Sequence, residues 1–400
     1  MKNKGLMQLG MKTTNNESKE EIILVAVGDV CLGLEVRKTI AEHGVLFPFE
    51  HVREQILRSD MRFGNLEVVF PGNSIEVSSR KSQIWAEDNA INSLCEAQFD
   101  VMSFANNHIM DHGKAGFSRT LDLMSKHNIV SVGAGATLYD SRQAAIIKRN
   151  NLKVGFLAFS DNWGQISGNR NPGATEAVAK YMISDIRTLK KEADIVIVSL
   201  HMGIEFTPYP SPFQVKISRE AVDAGANVII GHHPHVLQGF EVYHGSLIFY
   251  SLGNFVFQVY GHGYQQPYLP HVAWGVILTI NLRSDGYISH NVIPTVINEE
   301  HRPRLANEDE ADRIMRHITE ISEPLRDIHR LERIYRHTCG EFARTNYWWF
   351  RVGFGVGGIK KIIRMSIMMI LRAPNRRWIA GFLRYMFSLQ FVRERMNGER

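Results

Sequence analysis

Residues 227 to 257 read NVIIGHHPHVLQGFEVYHGSLIFYSLGNFVF, and the fold is decided by how this stretch is read. Its opening NVII is a short run dominated by β-branched residues, which fits a strand buried in a sheet. The run stops at Gly231, and His232, His233 and His235 follow at once. Pro234 restricts the backbone between the last two and allows both imidazoles to point the same way. Neutral imidazole is the commonest protein metal ligand. On this segment alone, a chelating loop and a loop of exposed histidines fit equally well.

Working outward, the same event recurs. Ile22 to Val27 is a continuous apolar run, as expected of a strand buried on both faces, and it leads into Gly28, Asp29 and Cys31. A carboxylate after a buried strand is costly unless paired, bound to a cation or used as a helix cap, here for a helix starting near Leu34. Asn65 and Glu67 alternate with apolar residues and project from one face of a strand end. The strand expected over 99–105 delivers Asn107, His108 and Asp111. The strand over 194–200 delivers His201, with Glu205 close behind, and a glycine turn at 251–255 presents Asn254. Open α/β sheets place their sites at such carboxyl ends. Between these strands the pattern predicts helices over 50–61, 87–97, 116–127, 174–190 and 212–224, and a hairpin around Asn150 and Asn151. Strands at 247–250, 272–282 and 287–297 complete the reading.

Composition agrees with an ordinary globular chain. It has 400 residues, 44% of them hydrophobic and 22% charged. Three scattered cysteines give no disulfide framework or Cys-x-x-Cys knuckle. No phosphate loop is present. Residues 1–21 read as a disordered lead-in without a signal peptide or membrane helix, which points to a cytoplasmic protein.

The motifs GDVCLG (28–33), GNLE (64–67), ANNHIMDHG (105–113), HMGIEF (201–206), GHHPHVLQGFE (231–241) and YSLGNFVF (250–257) together resemble the CapA, or poly-γ-glutamate capsule synthesis, family. The resemblance covers residues 22–298. It implies an α/β fold, a four-layer α-β-β-α sandwich like that of the calcineurin-like metallophosphoesterases. It also implies metal ligation by Asp29, Glu67, Asn107, His201, His233 and His235, with one or two divalent ions per chain. Mn, Fe or Zn would suit such mixed ligands. His108 would be the acid that protonates a leaving group, with Asp111 orienting it, and Asn65, Glu205 and Asn254 would support the ligands. A bridging hydroxide would attack a phosphoester or an anionic polymer. Cys31 departs from the Asp-x-His of the phosphoesterases and leaves one site a ligand short. The alternative is therefore a non-catalytic metal-binding assembly factor docked to capsule synthase subunits.

The C-terminal part changes character. Residues 299–346 read as a charged helical segment beginning near Asn307. Residues 347–400 hold eleven Lys and Arg against two Glu, a net +9, so the preceding 346 residues sum to −4 within the chain total of +5. Ile359, Ile362, Ile363, Ile367 and Ile370 recur at helical spacing beside Lys360, Lys361 and Arg364, after the aromatic run Tyr347 to Phe350. This basic amphipathic tail suits an anionic membrane surface at the inner face. Packing on the core or on a partner would also occupy the stripe. Nucleic acid leaves the apolar stripe without a role.

Overall fold

A computed structural model describes residues 21–73, 83–161 and 166–338. The expected lead-in up to residue 20 and the amphipathic tail at 347–400 lie outside the described residues, as do residues 339–346. Glu21, assigned to the lead-in, already pairs with Arg283 in the first strand.

The first sheet is built on β1 (Glu21–Val30), with β2 (Met61–Leu66), β3 (Val101–Ser103) and β4 (Val130–Val132) parallel to it in that order. β5 (Ala134–Gly135) pairs with β8 (Gly173–Ala174) in a separate two-stranded ribbon. β6 (Ala145–Arg149) and β7 (Leu152–Ser160) form the expected hairpin. Its turn residues Asn150 and Asn151 take φ of 47° and 62°, the left-handed pair that matches the twist of a tight hairpin. With β9 (Ile195–His201), β10 (Val228–His232), β11 (Phe240–Tyr243) and β12 (Ser246–Phe249) they make a second sheet, ordered β11-β12-β10-β9-β7-β6. The chain then returns to the first sheet. β13 (Asn254–Val256) lies parallel to β1, and β14 (Trp274–Arg283), β15 (Gly286–Ile297) and β16 (Pro303–Leu305) extend it antiparallel.

Apolar runs without alternation are explained by two cores. Ile195 and Ile197 of β9 face the core between the sheets, while Val196, Val198 and Leu200 face a second core. That second core is closed by α6 (Ala179–Leu189) and α7 (Pro212–Asp223) through Met182, Ile186, Val215 and Ile217. On the first sheet, α1 (Leu34–His43), α2 (Arg53–Leu57), α3 (Ile91–Glu96) and α4 (Gly113–Lys126) contribute Val36, Ile40, Ile56, Leu94 and Phe117 to the larger core. A short α5 (Leu138–Ser141) sits by the ribbon. The result is the four-layer α-β-β-α sandwich implied by the resemblance.

Three expectations are corrected. The helix expected over 50–61 is only α2, because Met61 already opens β2 beside Leu24. The helix expected from 174 starts at Ala179, since Gly173 and Ala174 are taken by the ribbon. The segment from 299, expected to be helical, first adds β16 to the sheet. Its helix, α8 (Glu308–Ser322), begins after a capping box between Asn307 and Glu310 and packs Ile314, Ile318 and Ile321 on the core. Among the described residues, no helix is long and apolar enough to cross a membrane.

Candidate metal centre

β1, β2 and β3 of one sheet and β9 and β10 of the other end on the same side of the molecule. Asp29 lies one residue before the end of β1, and Glu67 directly follows β2. Neither is a cap: α1 starts after Gly33, with no side-chain cap. Asp29, Asn65, Glu67, His201 and Asn254 are 0% exposed, and His233 and His235 are 6% and 4% exposed.

Asp29 is the most heavily bonded member. Oδ1 accepts from Asn65 Nδ2 at 2.9 Å and stands 3.3 Å from His232 Nδ1. Oδ2 accepts the His233 N–H at 3.3 Å and lies 3.4 Å from His235 Nδ1. Burial would raise its pKa, but the hydrogen bonds and charges of His232 and His235 outweigh that and hold it well below the usual carboxylate range. Glu67 is the opposite. Both of its oxygens are buried without a hydrogen bond, and the nearest imidazole nitrogens, His108 Nε2 and His235 Nε2, are each 3.7 Å from Oε1. Burial pushes its pKa up to about 8. A buried carboxylate without hydrogen bonds is rare in a native core and is what a cation would satisfy.

Ligand atoms fall into two groups that share Glu67. Asp29, Glu67 and His235 form one; Glu67, His201 and His233 form the other, with all atoms in each within 4.8 Å of one another. Bonds of about 2.1 Å to one ion place its ligand atoms roughly 3–4 Å apart, so both groups are of a size to hold one. His233 Nδ1 is also buried without a partner. Asn107 Oδ1 joins the second group at 2.9 Å from His201 Nε2. Burial, with the neighbouring His233, keeps His201 well below the ordinary imidazole value, and burial pushes His233 down to about 4. Both therefore stay neutral and keep lone pairs at neutral pH. His235 is pushed up to about 10: burial opposes this, but the charge of Glu67 and the bond to Asp29 win. An ion in the first group would have to displace that proton.

His235 is oriented by its neighbours. Asn254 Nδ2 donates to the carbonyls of His235 (3.3 Å) and Val272 (3.0 Å) and to Gln265 Oε1 (2.9 Å). That fixes the amide, so Oδ1 accepts from His235 Nδ1 at 2.9 Å. The loop itself is strained, with φ of 96° at His233 and 58° at His235, values rare outside glycine. Pro234 turns its carbonyl out to accept the Phe206 N–H at 2.7 Å.

His108 sits at the edge of the cluster. Its Nδ1–H donates to Asp111 Oδ2 at 2.7 Å, and its backbone N–H donates to Asn106 Oδ1 at 3.1 Å. Asp111 is anchored in turn by the Ile84 N–H at 2.8 Å. Burial would lower the His108 pKa, but the Asp111 hydrogen bond and charge outweigh it and raise it above 6.5.

Every residue expected at the site is brought to it except for the role given to Glu205. Its bond runs to the Tyr264 hydroxyl rather than to a histidine ligand. Burial would raise its pKa, yet His233 and His235 hold it below the usual value. Cys31 stands outside both groups, buried in the core with its thiol pushed up by burial. Sequence reasoning missed four contributors. His232 is fully buried against Asp29, and Asn106 ties His108 to Leu66 O through its Nδ2 at 2.7 Å. Both stood inside motifs already singled out. Tyr264 and Gln265 come from a loop with no pattern to mark it.

Four layers, with buried carboxylates and imidazoles gathered where both sheets end, define an α/β protein with two groups of side chains of metal-ligand type. The family model described as "Bacterial capsule synthesis protein PGA_cap" matches residues 23–259, and the chain belongs to that family. It is 30% identical over 313 residues to the capsule biosynthesis protein CapA of Bacillus anthracis, covering 76% of this chain and 74% of that one. It is 37% identical over 236 residues to the PGA biosynthesis protein CapA of Bacillus subtilis (strain 168), covering 58% and 62%. Among solved structures, the 5'-nucleotidase precursor from Thermus thermophilus aligns over 76% of this chain and 59% of that one, at 12% identity and a TM-score of 0.42.

Proposed function

We propose that the chain is a metal-dependent hydrolase of phosphoesterase type, acting in the metabolism of a capsule polymer such as poly-γ-glutamate. The observation that carries this reading is Glu67, a buried carboxylate without hydrogen bonds that belongs to both ligand groups. Asp29, Glu67 and His235 would hold one divalent ion, and Glu67, His201, His233 and Asn107 the other. Oxygen and imidazole donors in this mixture suit manganese, iron or zinc. Such ions polarise a phosphoryl oxygen and neutralise the charge that develops on it.

The chain's own residues supply the rest. Asp111 fixes the His108 ring through Nδ1, and its hydrogen bond and charge favour the protonated ring. Nε2, the other edge, faces the cluster beside Glu67 and would pass its proton to the departing oxygen. Asn65 and Asn254 hold Asp29 and His235 in place, so that little reorganises during the reaction.

Cys31 favours a second reading. A thiol held protonated in the core leaves the first group with three protein ligands. One ion would then anchor an anionic polymer for a capsule synthase without turnover. Metal analysis and hydrolysis of bis-p-nitrophenyl phosphate separate the two. The hydrolase reading expects transition metal in the purified protein, its loss in His233→Ala, and turnover cut roughly 10²–10⁴-fold in His108→Asn with metal retained. Metal-free protein, or turnover indifferent to both changes, sinks it. One ion per chain and no turnover supports the assembly factor.

A further inference from the structure

The mouth of the cluster on the His235 side is built from two loops, of which only Gln265, through Asn254, has a part in the arrangement above. Residues 203–207 bring Glu205 and Phe206, and residues 258–270 bring Tyr264, Gln265 and Tyr268. Phe206 has a φ of 63°, which a bulky side chain avoids, and its N–H is tied to Pro234 O in the histidine loop. Its ring stacks on Tyr268 at 4.1 Å, meets Tyr264 edge-on at 5.0 Å and stands 6.1 Å from the His235 ring. Tyr264 is 55% exposed, unusual for a large aromatic residue. Its hydroxyl donates to Glu205 Oε2. Among the described residues, Glu205 Oε1 has no hydrogen-bond partner, and the carboxylate is only half-buried.

This wall has a sign. Among the described residues, no lysine or arginine makes a hydrogen bond or ion pair with Asp29, Glu67, His108, His201, His233, His235 or Glu205. Beside the ions of the proposed centre, an anionic group on the substrate meets the imidazoles of His108 and His235. The adjoining subsite offers a carboxylate oxygen, which attracts a positive charge. We propose that Glu205, held by Tyr264, is a recognition residue for a protonated amine carried by the substrate next to its reacting anionic group. The substrate class is therefore zwitterionic: an amine-bearing phosphoester, or a polymer end with a free amino group. This rests on the metal-dependent reading above.

Binding of phosphonates to the full-length, metal-loaded protein tests the idea without turnover. Calorimetry would compare 2-aminoethylphosphonate with 2-hydroxyethylphosphonate, on wild type, Glu205→Gln and Tyr264→Phe, with metal content measured for each. Wild type is expected to bind the amine roughly tenfold more tightly, as one charge-assisted hydrogen bond would give. Glu205→Gln should erase that preference with metal unchanged, and Tyr264→Phe should reduce it. A γ-linked glutamate oligomer with a free or an acetylated amino end forms the second arm. A Glu205-dependent preference there assigns the amine to a polymer end; a preference confined to the phosphonates assigns it to a small ester. Equal binding of both phosphonates, binding of neither, a preference that survives Glu205→Gln, or loss of metal in that variant overturns the proposal. Wild type without metal overturns the hydrolase reading instead, so the two failures are distinguishable.

Discussion

Replacing Glu67 by glutamine should make the metal-free protein more stable at alkaline pH and less able to respond to metal. Burial without hydrogen bonds takes the Glu67 carboxyl from its ordinary 4.5 to about 8. Above pH 4.5 the unfolded chain releases this proton while the fold retains it, so unfolding is favoured progressively until the native carboxyl also ionises near pH 8. The contribution is therefore present at low pH and lost as pH rises through the folded value. At about 1.36 kcal/mol per pH unit, the interval from 4.5 to about 8 amounts to about 5 kcal/mol, of which roughly 3–4 falls between pH 5 and pH 8. The glutamine amide is buried and unpaired too, but so is the protonated acid, and that cost cancels in the pH difference. Urea denaturation of chelator-treated wild type and Glu67→Gln at pH 5 and pH 8 measures it. The wild type should lose ground to the variant by a few kcal/mol, and added manganese or zinc should then stabilise the wild type alone. A difference that does not move with pH, or equal stabilisation of both by metal, refutes the account.

Asp111→Asn should let the His108 pKa fall, moving the alkaline limb of the pH–kcat profile to lower pH and cutting turnover at pH 8 roughly tenfold with metal retained. Gly231→Ala would put a methyl 1.9 Å from the Tyr250 carbonyl oxygen, where β10 and β12 approach. A cost of about 3 kcal/mol is expected in urea, with weakened metal retention, because the histidine loop leaves β10 directly after His232. For the tail, full-length protein should sediment with phosphatidylserine vesicles at low salt and be released at about 0.5 M salt, and deletion of residues 347–400 should abolish sedimentation. A full-length chain that stays in the supernatant removes the membrane role.

The sequence showed most where the backbone left the chain least choice. IVIVSL and NVII read as doubly buried strands because alternate residues face two different cores, whereas IILVAV buries Ile22 and Leu24 to Val27 in the larger core and leaves Ile23 36% exposed. Where each ends, a polar side chain marked the site. The unmarked elements are those whose partners, not their own residues, decide them. Three-residue β13 exists because it lies along β1, and β16 sits in a charged stretch because β15 offers an edge. The same holds at the site. His232 looked equivalent to His233 and His235, yet as the last residue of β10 it sits in register with His201 and faces Asp29. Gln265 carries no signal at all; its part depends on Asn254, eleven residues away.

The two ligand groups draw Asp29 and Glu67 from one sheet and His201, His233 and His235 from the other, with Glu67 common to both. Each group therefore spans both halves of the sandwich, and the first candidate ligand stands about two hundred residues ahead of the last. On the proposed metal-dependent reading, metallation would therefore be a late event in the life of each molecule. It would wait until synthesis has passed residue 235 and the sheets have docked. The metal content of a preparation would then count the correctly assembled molecules, and a substitution that merely shifts one sheet against the other would register as metal loss before it registers as unfolding.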